Sequence, residues 1–200
     1  MNDISCDELM KNRYNGKTTT ENFSEQLFID LISPSKLFII YRQCWGRQTS
    51  FDPHTLSMSK KNGFMCIDFI LIPTKKARDN GWNYGPVGVE TKAFGVKTGP
   101  AYSQALDYRD CIWEFDEKLH PNFWINLKYI FVFPHDNDQS VVGVMASIES
   151  QQRIGHIFPY GHHGEKNIKF YIGQRLILNI DNDNNFIIHN VVCGEKSGSR

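Results

Sequence analysis

Nine residues, Phe64-Met-Cys-Ile-Asp-Phe-Ile-Leu-Ile72, are apolar except for one carboxylate, and Pro73 stops them. A run this short and this apolar reads as a core strand covered on both faces. A helix needs more length, and a half-exposed strand would alternate with polar residues. Asp68 at its centre is the residue that needs explaining. An unpaired buried carboxylate costs several kcal/mol, so it persists only when it is paired, solvated in a cleft or bound to a cation.

The next apolar segment repeats the anomaly. Val87-Gly-Val-Glu-Thr-Lys-Ala-Phe94 follows a polar loop containing Asn80-Gly81, and it reads as a second buried strand with Glu90 and Lys92 in its middle. Alternate residues of a strand share a face, so Glu90 and Lys92 project together and Thr91 points the other way. If the two strands pair, Asp68 comes within a few ångströms of Glu90.

Other elements flank this pair. Glu21 to Ile32 carries a helical stripe through Leu27, Phe28, Leu31 and Ile32, ended by Ser33-Pro34. Lys36 to Gln43 fits either more helix or a short strand, and Gly46 to Gly63 is polar and turn-rich. From Gly99-Pro100 a second helix is expected, with Ala101, Ala105, Tyr108, Ile112 and Phe115 at helical spacing. Tyr129 to Phe133, before Pro134, is a third core strand, so Val87 to Phe133 has the pattern of a strand, helix, strand crossover. Val141 to Ala146 fits strand or buried helix. Arg175 to Ile180 and Phe186 to Val192 flank Asp181-Asn-Asp-Asn-Asn185 as a hairpin.

The expected class is α/β in a single domain over residues 1–200. Its core spans about 21–135, a β-rich elaboration about 136–193, and a polar tail 194–200. Hydrophobic residues at 40% and charged residues at 22% exclude a disordered chain. Lys plus Arg and Asp plus Glu each number 22, so the net charge is zero and nothing in the totals announces a polyanionic partner. The five cysteines are odd in number and scattered, without a Cys-x-x-Cys pair, and read as reduced thiols. No stretch approaches the roughly 20 apolar residues of a membrane span, and the polar start lacks the apolar core of a secretion signal. The expectation is a cytoplasmic protein with no membrane partner.

Two converging carboxylates suit a hard cation such as magnesium, and an adjacent ammonium can orient water or neutralise charge developing on a phosphate. With these residues the chain resembles the PD-(D/E)xK nuclease superfamily, whose core is restriction-endonuclease-like: a mixed central sheet flanked by helices. Asp68 and Glu90-Thr91-Lys92 match its central motif, although Ile67 stands where a proline often precedes the aspartate. Gln104-Ala-Leu-Asp-Tyr108 matches the Gln-x-x-x-Tyr pattern of the recombination-exonuclease branch, and an interval of four puts Gln104 and Tyr108 on one helical face.

The resemblance implies a metal-dependent nuclease that hydrolyses DNA to leave 5′-phosphate ends, in phage or bacterial DNA processing, recombination or defence. Mg2+, with Mn2+ as a substitute, would be held by Asp68, Glu90, the Thr91 carbonyl and a first-helix carboxylate, Glu25, with Glu21 one turn earlier. Lys92 would position the attacking water, while Gln104 and Tyr108 would hold the site or the DNA. Endonuclease and exonuclease action both remain open, as do an oligomeric partner, an RNA substrate and an inactive binding or assembly module on the same fold. No iron–sulfur cluster is expected, because the cysteines are not clustered. Lys75, Lys76, Arg78 and Lys97, with Lys60-Lys61, border the motif in sequence and are the candidate DNA-binding residues, and Trp82 and Tyr84 in the 73–86 loop are candidates for stacking on bases. His156, His162, His163 and His189 match no familiar ligand spacing and read as surface or loop residues. Asp181 to Asn185 lacks the later glycine and glutamate of a calcium loop.

Overall fold

The computed structural model describes residues 20–48, 64–94, 98–114, 124–135, 151–160 and 167–189. Helix α1 (Glu21–Ile32) begins where the Thr20 hydroxyl accepts the Phe23 N–H, and it buries Leu27, Phe28, Leu31 and Ile32. A 3-10 turn at Ser33–Ser35, with Pro34 in it and Lys36 at φ 57°, reverses the chain into β1 (Phe38–Gln48). The segment from Lys36 that fitted helix or strand is therefore strand from Phe38 onward. β1 pairs antiparallel with β2 (Phe64–Pro73) from Phe38↔Pro73 to Arg47↔Phe64. The short helix α2 (Lys75–Asp79) follows, capped by Thr74.

β3 (Val87–Thr91), buried along its whole length, runs antiparallel to β2 and parallel to β6 (Tyr129–Phe133). Between them the chain forms α3 (Thr98–Arg109), β4 (Cys111–Glu114) and β5 (Trp124–Asn126). The expected crossover is present, with two further strands, β4 and β5, between its helix and β6. Helix α3 stops at Arg109, and Ile112, expected on its stripe, lies in β4 because that segment pairs with the end of β1 through Gly46↔Trp113. Phe115 lies outside the described residues.

β7 (Ile154–Tyr160) adds parallel to β6, and β8 (Asn167–Ile172), β9 (Arg175–Ile180) and β10 (Phe186–Ile188) continue as an antiparallel meander. Among the described residues the result is one ten-stranded mixed sheet in the order β10-β9-β8-β7-β6-β3-β2-β1-β4-β5. Its β9–β10 turn is the expected hairpin. Asp181 Oδ1 accepts the N–H groups of Asp183 and Asn185, so the carboxylate closes the turn. Val141–Ala146, His162 and His163 fall outside the described residues.

Each face of the sheet carries its own core. On one, α1 sets Phe28 against Phe69 and Phe133, at centroid distances of 5.1 and 5.2 Å. The same cluster takes in Ile157, Ile168, Phe170 and Leu178 from the C-terminal strands. On the other face, Ala101, Tyr102, Ala105 and Tyr108 of α3 cover Ile67, Ile70, Ile130, Val132 and Trp113. Burying each such large side chain contributes about 1.5–3 kcal/mol.

Trp82 and Tyr84 belong to the first of these cores and are only 4% exposed, so the reading of them as base-stacking residues is corrected. Trp82 Nε1 donates to the Gly85 carbonyl, and the Tyr84 hydroxyl donates to that of His189. Large aromatic rings near a sheet bury more apolar area by turning inward, and a loop position does not prevent it. Among the described residues no helix is long and apolar enough to cross a membrane.

Candidate active site

The β2–β3 register runs Leu71↔Val87, Ile70↔Gly88 and Phe69↔Val89, so Asp68 and Glu90, the next residue on each strand, come to the same end of the pair, where the Asp68 charge acts on Glu90. The expected convergence of the two carboxylates follows from this pairing. Asp68 Oδ2 accepts the Thr91 N–H at 2.7 Å and the Thr91 hydroxyl at 2.6 Å. The Thr91 N–H thus points toward β2, and the carbonyl of an extended residue points to the same side as its N–H. Its carbonyl therefore faces the Asp68 side, away from β6.

Both strands are irregular here. Ile67 and Ile70, three positions apart, pack into the same core, although strict alternation would separate them. The alternation slips around Asp68. Opposite it, Gln43 of β1 interrupts the ladder between Arg42↔Phe69 and Cys44↔Ile67, with φ at 50°. A non-glycine residue in this left-handed region is uncommon and strained, and such strain gathers at functional positions. The Gln43 amide donates to Asp68 Oδ1 at 3.4 Å, and its carbonyl oxygen accepts the Cys66 thiol. Nothing in the residue pattern of Lys36 to Gln43 singled out Gln43, because its role arises from the cross-strand pairing.

Glu90 is 2% exposed. Lys92 Nζ donates to its Oε1 at 2.6 Å and to Glu21 Oε1 at 3.3 Å. Burial, and then the charge of Asp68, push the Glu90 carboxyl up to about 7 against the pull of Lys92. For Lys92, burial works against the ammonium, but the Glu90 hydrogen bond and charge, reinforced by Glu21, outweigh it and hold the group above its ordinary value. Lys92 is therefore a cation and a donor.

Gln104 and Tyr108 come together as the four-residue interval required. The Gln104 amide donates to the Tyr108 hydroxyl, which donates to the Cys66 carbonyl at 2.8 Å. Burial, with the nearby Glu90 charge, raises the phenol far above its usual range, so it stays protonated. The hydroxyl also lies within hydrogen-bonding reach of the Glu90 carboxyl; while it donates to the Cys66 carbonyl instead, Glu90 Oε2 receives no hydrogen bond. Among the described residues the other buried side-chain atoms without partners are Ser24 Oγ and Trp113 Nε1, both uncharged.

The first-helix carboxylates divide their tasks. Glu25, 8% exposed, accepts Arg42 of β1 at 2.9 Å, whereas Glu21 reaches Lys92. The basic group of α2 lies elsewhere. It follows Pro73, at the opposite end of β2 from Asp68's neighbours Cys66 and Ile67, and beside the start rather than the end of β3. Five residues of strand from Asp68 to Pro73 span roughly 16 Å. Lys76 Nζ donates to the Ser35 carbonyl and Arg78 to that of Pro73, while Lys75 is exposed. Lys97, Lys60 and Lys61 lie outside the described residues. His156 departs from its loop reading: on β7 it stacks between His135, at 4.2 Å, and Tyr171, at 5.1 Å. Of the cysteines, Cys44, Cys66 and Cys111 are free thiols.

A divalent cation fits what is present. Two neighbouring carboxylates, one of them with a buried oxygen that receives no hydrogen bond, supply hard oxygen donors, and the Thr91 carbonyl would add another. Among the described residues, no three His, Cys, Asp or Glu side chains gather in ligand geometry, so main-chain and water oxygens would complete the shell. No protein-family model, curated protein or solved structure matches the chain.

Proposed function

We propose that the chain is a metal-dependent deoxyribonuclease with a restriction-endonuclease-like core. The observation that carries this reading is Glu90, buried within reach of the Asp68 charge, with Lys92 on its Oε1 and no hydrogen bond to its Oε2. The order α1, β1, β2, β3, α3, β6, with β3 parallel to β6, supports the same reading.

Asp68, Glu90 and the Thr91 carbonyl would hold Mg2+ or Mn2+. When bound, the cation supplies Lewis-acid activation of a phosphate oxygen and of water. Lys92, held protonated, orients water at its Nζ and donates to a non-bridging phosphate oxygen as charge develops there. Glu21 keeps that ammonium in place from α1. Tyr108 and Gln104 fix the Cys66 carbonyl and so position β2 next to Asp68; they act on the site from behind. Water attack at phosphorus with loss of the 3′-oxygen would leave 5′-phosphate and 3′-hydroxyl ends.

A second reading, a catalytically inactive nucleic-acid-binding or assembly module, is favoured by one observation. Both Asp68 oxygens already accept hydrogen bonds, from Thr91 and Gln43, as a structural carboxylate would. The deciding experiment is cleavage of linear, circular, single-stranded and branched DNA, and of RNA, with Mg2+ or Mn2+, beside Asp68→Ala and Lys92→Ala. Metal-dependent cleavage by the wild type, reduced at least about 100-fold in both variants, is expected. Equal inertness of all three, with no divalent ion bound in calorimetry, would leave the binding module standing.

A further inference from the structure

Among the described residues, the large hydrophobic side chains exposed to solvent are Ile39, Trp45 and Ile187, and Trp45 is the most exposed at 58%. Single exposed apolar residues are ordinary, but a tryptophan leaves far more area in water than an isoleucine. Its position is specific. Cys44 packs into the α3-side core, and a Cβ on Gly46 would strike the Trp113 ring in that same core, so Trp45 between them faces the opposite side of the sheet. Trp45 is paired directly with Cys66, whose thiol donates to Gln43, and Gln43 in turn donates to Asp68. Cys66 lies two residues along β2 from Asp68, so Trp45 borders that end of the strand.

We propose that Trp45 is a stacking platform for an unpaired nucleobase of the strand presented to Asp68 and Glu90, which makes the substrate class single-stranded or frayed DNA; this rests on the nuclease reading above. The faces of bases within a duplex are covered by their neighbours, so an indole can stack only where a base is unpaired or terminal. Stacking also supplies affinity that does not require excess positive charge. That suits a chain of zero net charge in which Lys92 and Arg42 already pair with carboxylates.

The test is fluorescence anisotropy in EDTA with labelled oligothymidine and with a closed hairpin duplex, beside metal-dependent cleavage of both. Trp45→Ala is expected to weaken oligothymidine binding by about 5- to 150-fold. Trp45→Phe should retain most of it, Ile187→Ala should leave it unchanged, and hairpin affinity should not respond to position 45. Circular dichroism of each variant checks the fold. Oligothymidine bound equally by Trp45→Ala and wild type overturns the proposal, as does an equal loss on the hairpin. Cleavage that survives alongside position-45-independent binding sinks this proposal alone. Position-45-dependent binding without cleavage in any metal sinks the nuclease reading and leaves the platform.

Discussion

Glu90 carries a charge that the fold opposes. Its ordinary value of 4.5 rises to about 7 in the native state, chiefly through burial and then through Asp68. The folded protein therefore binds the proton more tightly than the unfolded chain. The stability from this group is full below pH 4.5 and is lost as pH rises through 7. Glu90→Gln is accordingly expected to be more stable than wild type at pH 8, by about 1–3 kcal/mol, with the difference gone below pH 4.5. Urea midpoints at the two pH values measure this; a less stable variant at pH 8 would mean that the Lys92 pair outweighs burial. Gln43 adds a second residue-level test, since its φ of 50° suits glycine. Gln43→Gly is expected to stay within about 1 kcal/mol of wild type while Gln43→Val loses about 2 kcal/mol or more. Equal denaturation midpoints for the two would exclude the left-handed backbone.

At the level of elements, pairing decided several outcomes that local pattern left open. Ile112 continued a helical stripe by spacing, yet the end of β1 offered Cys111–Glu114 a strand partner and α3 closed at Arg109. β8 alternates Ile168, Phe170 and Ile172 with Asn167, Lys169 and Tyr171, a strand pattern beyond the elements assigned from sequence, whereas Gly155 and Pro159 inside β7 break up its apolar run, and β7 is a strand through its pairing with β6 and β8. Close packing shows in the glycines. A Cβ at Gly155 would run into the Phe131 ring and lie 2.5 Å from the Tyr171 carbonyl oxygen, which is main chain and cannot yield. Gly155→Ala is therefore expected to destabilise by about 1–3 kcal/mol or more. At Gly99, in the first turn of α3, a Cβ meets nothing within 4 Å, and Gly99→Ala is expected to gain about 0.5–1 kcal/mol. Thermal denaturation of both variants checks the contrast, and equal effects would refute it.

For the whole molecule, the C-terminal strands are part of the core. Ile157, Ile168, Phe170 and Leu178 share a cluster with Phe28 and Phe69, and Phe131 packs on Phe170 at 5.4 Å. Truncation after His135 should abolish cooperative unfolding; a sharp transition in the shortened chain would show that the earlier elements fold alone. By itself the sequence determined α1, β2, β3, β6 and the last hairpin. It also placed Asp68 and Glu90 in core strands and Gln104 with Tyr108 on one helical face, whereas Lys92, expected inside the strand, follows the end of β3 at Thr91. These depend on periods of two and 3.6 residues and on stops such as Ser33-Pro34 and Pro73, all local in the chain. Only the tertiary structure decided that Trp82 and Tyr84 turn inward, that the α2 cations lie away from the carboxylates, and that Glu21 rather than Glu25 reaches Lys92. It also brought Gln43 onto Asp68 and set Trp45 opposite Cys66. Those outcomes depend on strand register and on competition for buried area between residues far apart in the chain, which no local pattern encodes.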